Sequence, residues 1–261
     1  LHTIVCVKQV PEIAGIKISP DGAGIVPPSG AGMVNPFDVY AIEEGIRIKE
    51  KTTGKLSVVS SGSPSAEGAL REALALGAEE AYLLSDPLFT VADPLHTAMI
   101  LAAGIKKIGA FDLVLCGKQA VDDDSSVVPA ALAAYLELPQ VIFVKKFEQL
   151  EPGKAKVFRM ADDGYEVIET PLPAVVGVVK EINEPRLPSL KGKMRAKSAK
   201  ITTWSAADLG LDASLLNPAN FGYKVEQFSP PPPRPKGEML TGTPEEIAEK
   251  LFQKLREAQV I

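Results

Sequence analysis

Gly117-Lys118-Gln119-Ala120-Val121-Asp122-Asp123-Asp124-Ser125-Ser126 lies between two apolar stretches. Before it runs Phe111-Asp112-Leu113-Val114-Leu115-Cys116. After it runs Val127-Val128-Pro129-Ala130-Ala131-Leu132-Ala133-Ala134-Tyr135-Leu136. The order reads as buried strand, polar loop and helix N-terminus. In an open parallel sheet, ligands sit beyond the carboxyl ends of the strands. Free amides at the start of a helix attract phosphate. Gly117 lets the backbone approach a ligand closely, and successive loop amides form an anion-binding nest. Ser125 and Ser126 suit N-capping and can also donate to phosphate oxygens. Three adjacent aspartates repel unless amides, ribose hydroxyls or a cation take up their charge. Lys118 is the cation nearest in sequence. A solvated acidic turn is the plainer reading of the same residues.

Toward the N-terminus, strand-like and helix-like segments alternate. Thr3-Ile4-Val5-Cys6-Val7 and Leu56-Ser57-Val58-Val59-Ser60 are short apolar runs of buried-strand type, and Ala81-Tyr82-Leu83-Leu84 is a third. Residues 38–51 read as a helix capped by Asp38, with Val39, Ile42 and Ile46 on one face. Residues 64–76 read as a helix with Pro64 in its first turn and Gly77 as its stop, and residues 94–108 as another. Residues 11–33 are rich in Gly and Pro and read as a loop or weak hairpin. The alternation predicts an α/β fold: a doubly wound, mostly parallel sheet with flavodoxin-like layering.

Beyond residue 140 the pattern changes. Residues 141–147, 156–160, 165–170 and 174–180 read as strands, with Pro152-Gly153 and Asp163-Gly164 as turns. Past Asn183 periodicity is lost. Residues 186–200 are basic and hold no acidic residue. Pro230-Pro231-Pro232-Pro233 favours an extended polyproline segment. Thr243-Pro244-Glu245-Glu246 opens a final helix, with Thr243 as its cap. Trp204, Leu215, Leu216, Phe221 and Phe228 are poorly placed in water, so this tail is expected to lie on a partner.

Composition narrows the function. The 261 residues are 46% apolar and 23% charged, with a net charge of −5. That balance argues against a general nucleic-acid binder. Two cysteines build no disulfide framework and imply a reducing compartment. Two histidines without a Cys–His cluster give no metal site. No apolar stretch is long enough to cross a bilayer, and residues 1–10 read as a strand rather than a signal peptide. No residue stands out as a catalytic nucleophile or base.

Taken in order along the chain, several segments resemble the β subunit of electron transfer flavoproteins. They are Val7-Lys8-Gln9-Val10-Pro11, Asn35-Pro36-Phe37-Asp38 leading into Glu43-Glu44, and Val59-Ser60-Ser61-Gly62. Ala73-Leu74-Ala75-Leu76-Gly77-Ala78 and the loop from Gly117 to Ser126 follow. Next comes Val157-Phe158-Arg159-Met160-Ala161-Asp162-Asp163-Gly164-Tyr165-Glu166-Val167-Ile168, and then Asn183-Glu184-Pro185-Arg186. Their order and spacing are together highly specific.

The resemblance implies a heterodimer with an electron transfer flavoprotein α subunit that holds most of an FAD. It also implies AMP, or a second FAD, in the β subunit. By matching positions, that nucleotide would meet Cys6, Asn35, Pro36, Phe37, Asp38 and Ser61. It would also meet Gly117, Lys118, Gln119, Ala120, Val121, Asp122, Asp123, Asp124, Ser125, Ser126, Val127 and Val128. Glu184, Pro185, Arg186 and the apolar Leu190 match a loop that recognises partner dehydrogenases. Residues 1–183 would form the nucleotide-binding domain, 184–200 the recognition loop, and 201–261 an extended C-terminal arm on the α subunit. The implied role is to take electrons from flavin dehydrogenases of the acyl-CoA dehydrogenase type. They would pass to a quinone oxidoreductase or other reductase, in bacterial or archaeal cytoplasm or the mitochondrial matrix.

Asp122-Asp123-Asp124 resembles the AMP-holding loop. Leu84-Ser85-Asp86 with Phe89, Ala92-Asp93 and Thr97 resembles the electron-bifurcating type, which oxidises NADH and carries its own second FAD. Two other readings stay open: a stand-alone nucleotide enzyme of the ATP pyrophosphatase kind, and a nucleotide-sensing module. The first lacks its Ser-Gly-Gly-x-Asp-Ser loop, since Ser60-Ser61-Gly62-Ser63-Pro64-Ser65 is the nearest text.

Overall fold

Four apolar strands align in parallel: β1 (His2–Cys6), β2 (Lys55–Ser61), β3 (Glu80–Leu84) and β4 (Leu113–Gly117). Val5 of β1 lies opposite Val58 on one side and Leu115 on the other. This is a computed structural model, and it describes residues 1–22, 24–26, 32–89, 93–217, 226–230, 232, 233 and 236–261. Contacts divide the chain into two units, Leu1–Gln227 and Phe228–Ile261.

Helices α1 (Pro36–Thr52), α2 (Glu67–Leu76), α3 (Pro94–Ile108) and α4 (Val128–Leu136) cover the sheet. Neighbouring residues of a strand point to opposite faces. Val5 and Val58 therefore join Ile42, Ile46, Leu70 and Leu74 of α1 and α2 in one core. Ile4, Cys6, Val59, Val114 and Cys116 join Ile100, Ile105 and Leu132 of α3 and α4 in another. Each such buried Leu or Ile contributes about 1.5–3 kcal/mol. The chain steps from β1 out to β3, then returns to set β4 on the other flank of β1. The crevice between β1 and β4 is therefore the point where strand order reverses, and open α/β sheets bind ligands there.

The expected second group of strands is present. β5 (Gln140–Glu151), β6 (Lys154–Ala161) and β7 (Gly164–Pro171) form an antiparallel meander, and β8 (Ala174–Val178) enters parallel between β5 and β4. The nine-stranded sheet is completed by β9 (Ile201–Trp204), in the order β7-β6-β5-β8-β4-β1-β2-β3-β9. Within residues 11–33, Lys17–Ile18 pairs with Ile25–Val26 as a short antiparallel hairpin.

Several local expectations are corrected. Periodicity fails past Asn183, yet α5 (Leu190–Ser198) and β9 form there. Only Ala196 of α5 is buried, so the helix carries no apolar stripe to read. It is held by main-chain contacts instead. Arg195 donates to the carbonyls of Leu74 (2.7 Å) and Ala78, and Arg71 donates to the carbonyl of Ala196 (2.5 Å). Gly192 lets α5 lie directly on α2, because a Cβ there would stand 2.2 Å from the Ala75 carbonyl oxygen. Trp204, expected to need a partner, stacks on Tyr82 with centroids 5.0 Å apart, and Leu216 is fully buried. Phe221, Ala92 and Pro231 lie outside the described residues.

Asp38 does not cap α1. The helix begins earlier, at Pro36, after Asn35. Ser125 and Ser126 do not cap α4, which starts at Val128 after Val127 with no side-chain cap. In the second unit, α6 (Pro244–Glu257) carries the expected Thr243 cap. A full capping box with Glu246 accompanies it.

Candidate functional site

A cavity of about 380 Å³ opens at the carboxyl ends of β1, β2 and β4. One wall is the segment between β4 and α4, and α1 positions it. Asn35, just ahead of Pro36, reaches this loop with its side chain. Its Nδ2 donates to the Gln119 carbonyl (2.8 Å), and its Oδ1 accepts from the Val121 amide (3.2 Å). The Lys118 amide donates to the Val178 carbonyl at 3.0 Å, tying the loop to β8. Gln119 also bonds Asp124 through its side chain.

Backbone conformation decides what this loop can hold. Asp124 and Ser126 are left-handed, with φ of 54° and 55°. Val127 returns to the right-handed region at φ −84° and ψ −37°. Opposite-handed neighbours turn successive amides toward one point, which is an anion nest. Among the described residues the amides of Ser126, Val127 and Val128 have no protein acceptor. All three residues line the cavity at the head of α4. Donors without partners at a helix start fit a phosphate.

The three aspartates are balanced by Lys8, not by Lys118. The Lys8 ammonium lies 2.7 Å from Asp122 Oδ1 and 3.3 Å from Asp123 Oδ2. Burial works against this charge, but the bonds to Asp122 and Asp123 outweigh it and hold the ammonium above the usual lysine range. Lys118 instead sits 5.3 Å over the Phe37 ring. Asp123 Oδ1 also accepts from the Ser125 amide at 3.0 Å, an aspartate–amide bond of the expected kind.

Asp38 is buried beneath the cleft and accepts from the Lys8 amide at 2.7 Å. Burial raises its carboxyl to about 7, against the lowering pull of bonds from Lys8, Asn35 and Gly117. An unfolded aspartate titrates near about 4. Between those values the folded protein keeps a proton that the unfolded chain has lost. Stability therefore falls as pH rises from about 4 to about 7 and is level above that. Asp38→Asn is expected to flatten this slope, read as urea midpoints at intervals from pH 4.5 to 7.5. An unchanged slope would remove Asp38 as its source.

Of the residues expected at the site, Cys6, Asn35, Asp38 and Ser61 line the cavity, as do Gly117, Gln119 and Ala120. Asp123, Ser125, Ser126, Val127 and Val128 line it too. Pro36, Phe37, Lys118, Val121, Asp122 and Asp124 are not among its lining residues. Sequence reasoning left Lys8, Leu101 and Pro129 out of the site, although they line it. Lys8 was findable, since it directly follows an apolar strand at the edge where ligands collect. Leu101 was not, because an apolar helix residue carries no mark of facing a cavity rather than a core.

The residues expected to recognise a partner fall into two groups. Leu190 heads α5 and is 76% exposed. Glu184 is exposed and Pro185 half-buried. Arg186 is turned inward: its guanidinium bonds both oxygens of Glu43 (2.8 and 3.1 Å) and both of Glu50 (2.6 and 3.0 Å) on α1. It fixes the loop rather than offering a free charge.

These features define a doubly wound α/β protein with a ligand cleft where its strand order reverses. The electron transfer flavoprotein domain model matches residues 24–209. The electron transfer flavoprotein subunit beta of Thermoanaerobacterium thermosaccharolyticum is 41% identical over 264 residues, all of both chains. Subunit CarD of the caffeyl-CoA reductase-Etf complex of Acetobacterium woodii is 41% identical over 263 residues, again all of both. Protein FixA of Azorhizobium caulinodans is 35% identical over 81% of this chain and 78% of its own. The chain belongs to the electron transfer flavoprotein family, as a β subunit. A β subunit implies an α-subunit partner. No helix among the described residues is long and apolar enough to cross a membrane.

Proposed function

We propose that this chain is the β half of a two-chain electron carrier and that its cleft holds the adenylate part of a nucleotide, AMP in the first reading. The observation that carries this is the nest of unpartnered amides at Ser126, Val127 and Val128, opening onto the cleft at the strand-order reversal. The phosphate would lie on that nest, and the nucleoside would run toward Cys6, Ser61 and Asn35. Redox chemistry belongs to an FAD held mainly by the α subunit, and this chain supplies position and electrostatics. The carrier takes electrons from flavin dehydrogenases of the acyl-CoA dehydrogenase type and delivers them to a quinone oxidoreductase or another reductase. Leu190, with Leu187 and Met194 also exposed beside the lysines of α5, forms the docking face. Charge would speed encounter there, and buried apolar side chains would set register.

A second reading has its own support. Phe89, Pro94 and Leu101 also line the cleft, an apolar group in addition to the polar loop. A second FAD with NADH oxidation would use it. Absorbance of the purified heterodimer, with flavin counted per dimer and released nucleotides identified by mass, decides between them. One flavin with one AMP is the expected result, and two flavins establish the second reading. Neither flavin nor adenine nucleotide would overturn both.

A further inference from the structure

Among the described residues lining the cleft, Lys8 is the one cation. Its backbone is fixed at the end of β1, where its amide donates to the buried Asp38. Its ammonium reaches across the cleft to Asp122 and Asp123, on the loop that also presents the amide nest. The Lys8 side chain is 40% exposed, and so is not locked in the core. Of its carboxylate partners, Asp123 is exposed at 37% and Asp122 is half-buried at 19%. The exposed Asp123 bridge is worth typically less than about 1 kcal/mol, and the Asp122 bridge is the stronger of the two. A phosphate entering the nest brings nearly two negative charges close to Asp123, which also lines the cleft. The nest amides supply partial charge only, so a full countercharge has to come from a side chain.

We propose that Lys8 is the phosphate-reading residue of this cleft, and that Asp122 and Asp123 are placeholders that release it when a nucleotide phosphate enters. In the ligand-free cleft the Lys8–aspartate bridge straps the β1 end to the β4–α4 loop. On binding, the ammonium exchanges carboxylate oxygens for phosphate oxygens, and the freed aspartates turn to solvent. The assignment rests on the reading of the cleft as an adenine-nucleotide site. It adds the group that distinguishes a phosphorylated ligand from the bare nucleoside.

The test is calorimetric titration of AMP and of adenosine into the two-chain complex stripped of bound nucleotide, for wild type, Lys8→Met and the Asp122→Asn/Asp123→Asn double variant. Lys8→Met is expected to weaken AMP by at least about tenfold while leaving adenosine unchanged. The double variant is expected to tighten AMP several-fold, again without moving adenosine. The AMP-to-adenosine ratio within one variant is insensitive to a partly unfolded preparation. AMP binding unaffected by Lys8→Met, equal losses of AMP and adenosine, or weaker AMP binding in the double variant would each overturn the assignment of Lys8. Failure of the wild type to bind either molecule would instead overturn the cleft reading itself.

Discussion

Gly117→Ala is expected to destabilise the protein by about 3 kcal/mol, at the upper end of what one overpacked methyl group usually costs. Gly117 ends β4 directly against the first turn of α1. A Cβ there would lie 2.5 Å from Asp38 Oδ1, 2.7 Å from the Phe37 carbonyl carbon and 2.9 Å from the Asp38 amide nitrogen. Two of those three atoms are backbone, so no side-chain rotation relieves the clash. Either α1 retreats or the end of β4 does. Both movements pull the Asn35 clamp off the Gln119 and Val121 backbone, so on the proposed reading of the cleft nucleotide affinity falls with stability. The check is urea unfolding at constant m, alongside Gly164→Ala, where an added Cβ meets nothing within 4 Å. Equal midpoints for the two variants would refute this account of Gly117.

Arg186→Ala is expected to cost about 2 kcal/mol. Removing one partner of a fully buried ion pair costs roughly 3–5 kcal/mol. The figure here is smaller because Arg186 is about one-third exposed and Arg47 remains on Glu43 at 2.9 Å. The Glu43 carboxylate is itself buried. Burial would raise its pKa, but bonds from Arg186 and Arg47 outweigh this and hold it below the ordinary value. A depressed folded-state pKa stabilises above the unfolded value and loses that contribution as pH falls through the folded one. The gap between wild type and variant should therefore be full at neutral pH and shrink below about pH 4. A gap that stayed constant down to acid pH would mean that Arg186 acts by packing and not through the Glu43 carboxylate. The same variant removes the guanidinium bonds to Glu43 and Glu50 but leaves Asn183 on Tyr40 and Glu44 and the Glu184 carbonyl on Arg47, so the segment stays attached to α1 at its start and flavin content should not change.

How much of this was legible in advance follows from where each residue's partners lie in sequence. The parallel sheet was readable because each strand carries its own signal: an apolar run such as Leu113-Val114-Leu115-Cys116, bounded by turn residues. The loop from Gly117 to Ser126 was readable as a cavity wall because strand, glycine and helix start are contiguous. The charge balance of that loop was misjudged. Lys118 is adjacent in sequence, but the chain turns its ammonium onto Phe37, and Lys8, more than a hundred residues away, takes the aspartates. Asp38 was misassigned for the same reason. An acidic residue near a helix start usually caps, and only the meeting of β1, β4 and α1 shows that this one is buried.

Local pattern therefore sufficed for the layered architecture and the family, since those depend on residues that act on their near neighbours. Which cation faces which carboxylate, where Arg186 points, and that a polar nine-residue segment becomes a helix on α2 were settled by the folded chain alone. Each of those depends on groups that meet only across the sheet or between helices, and their energies exist only after the apolar core has brought them within hydrogen-bonding distance.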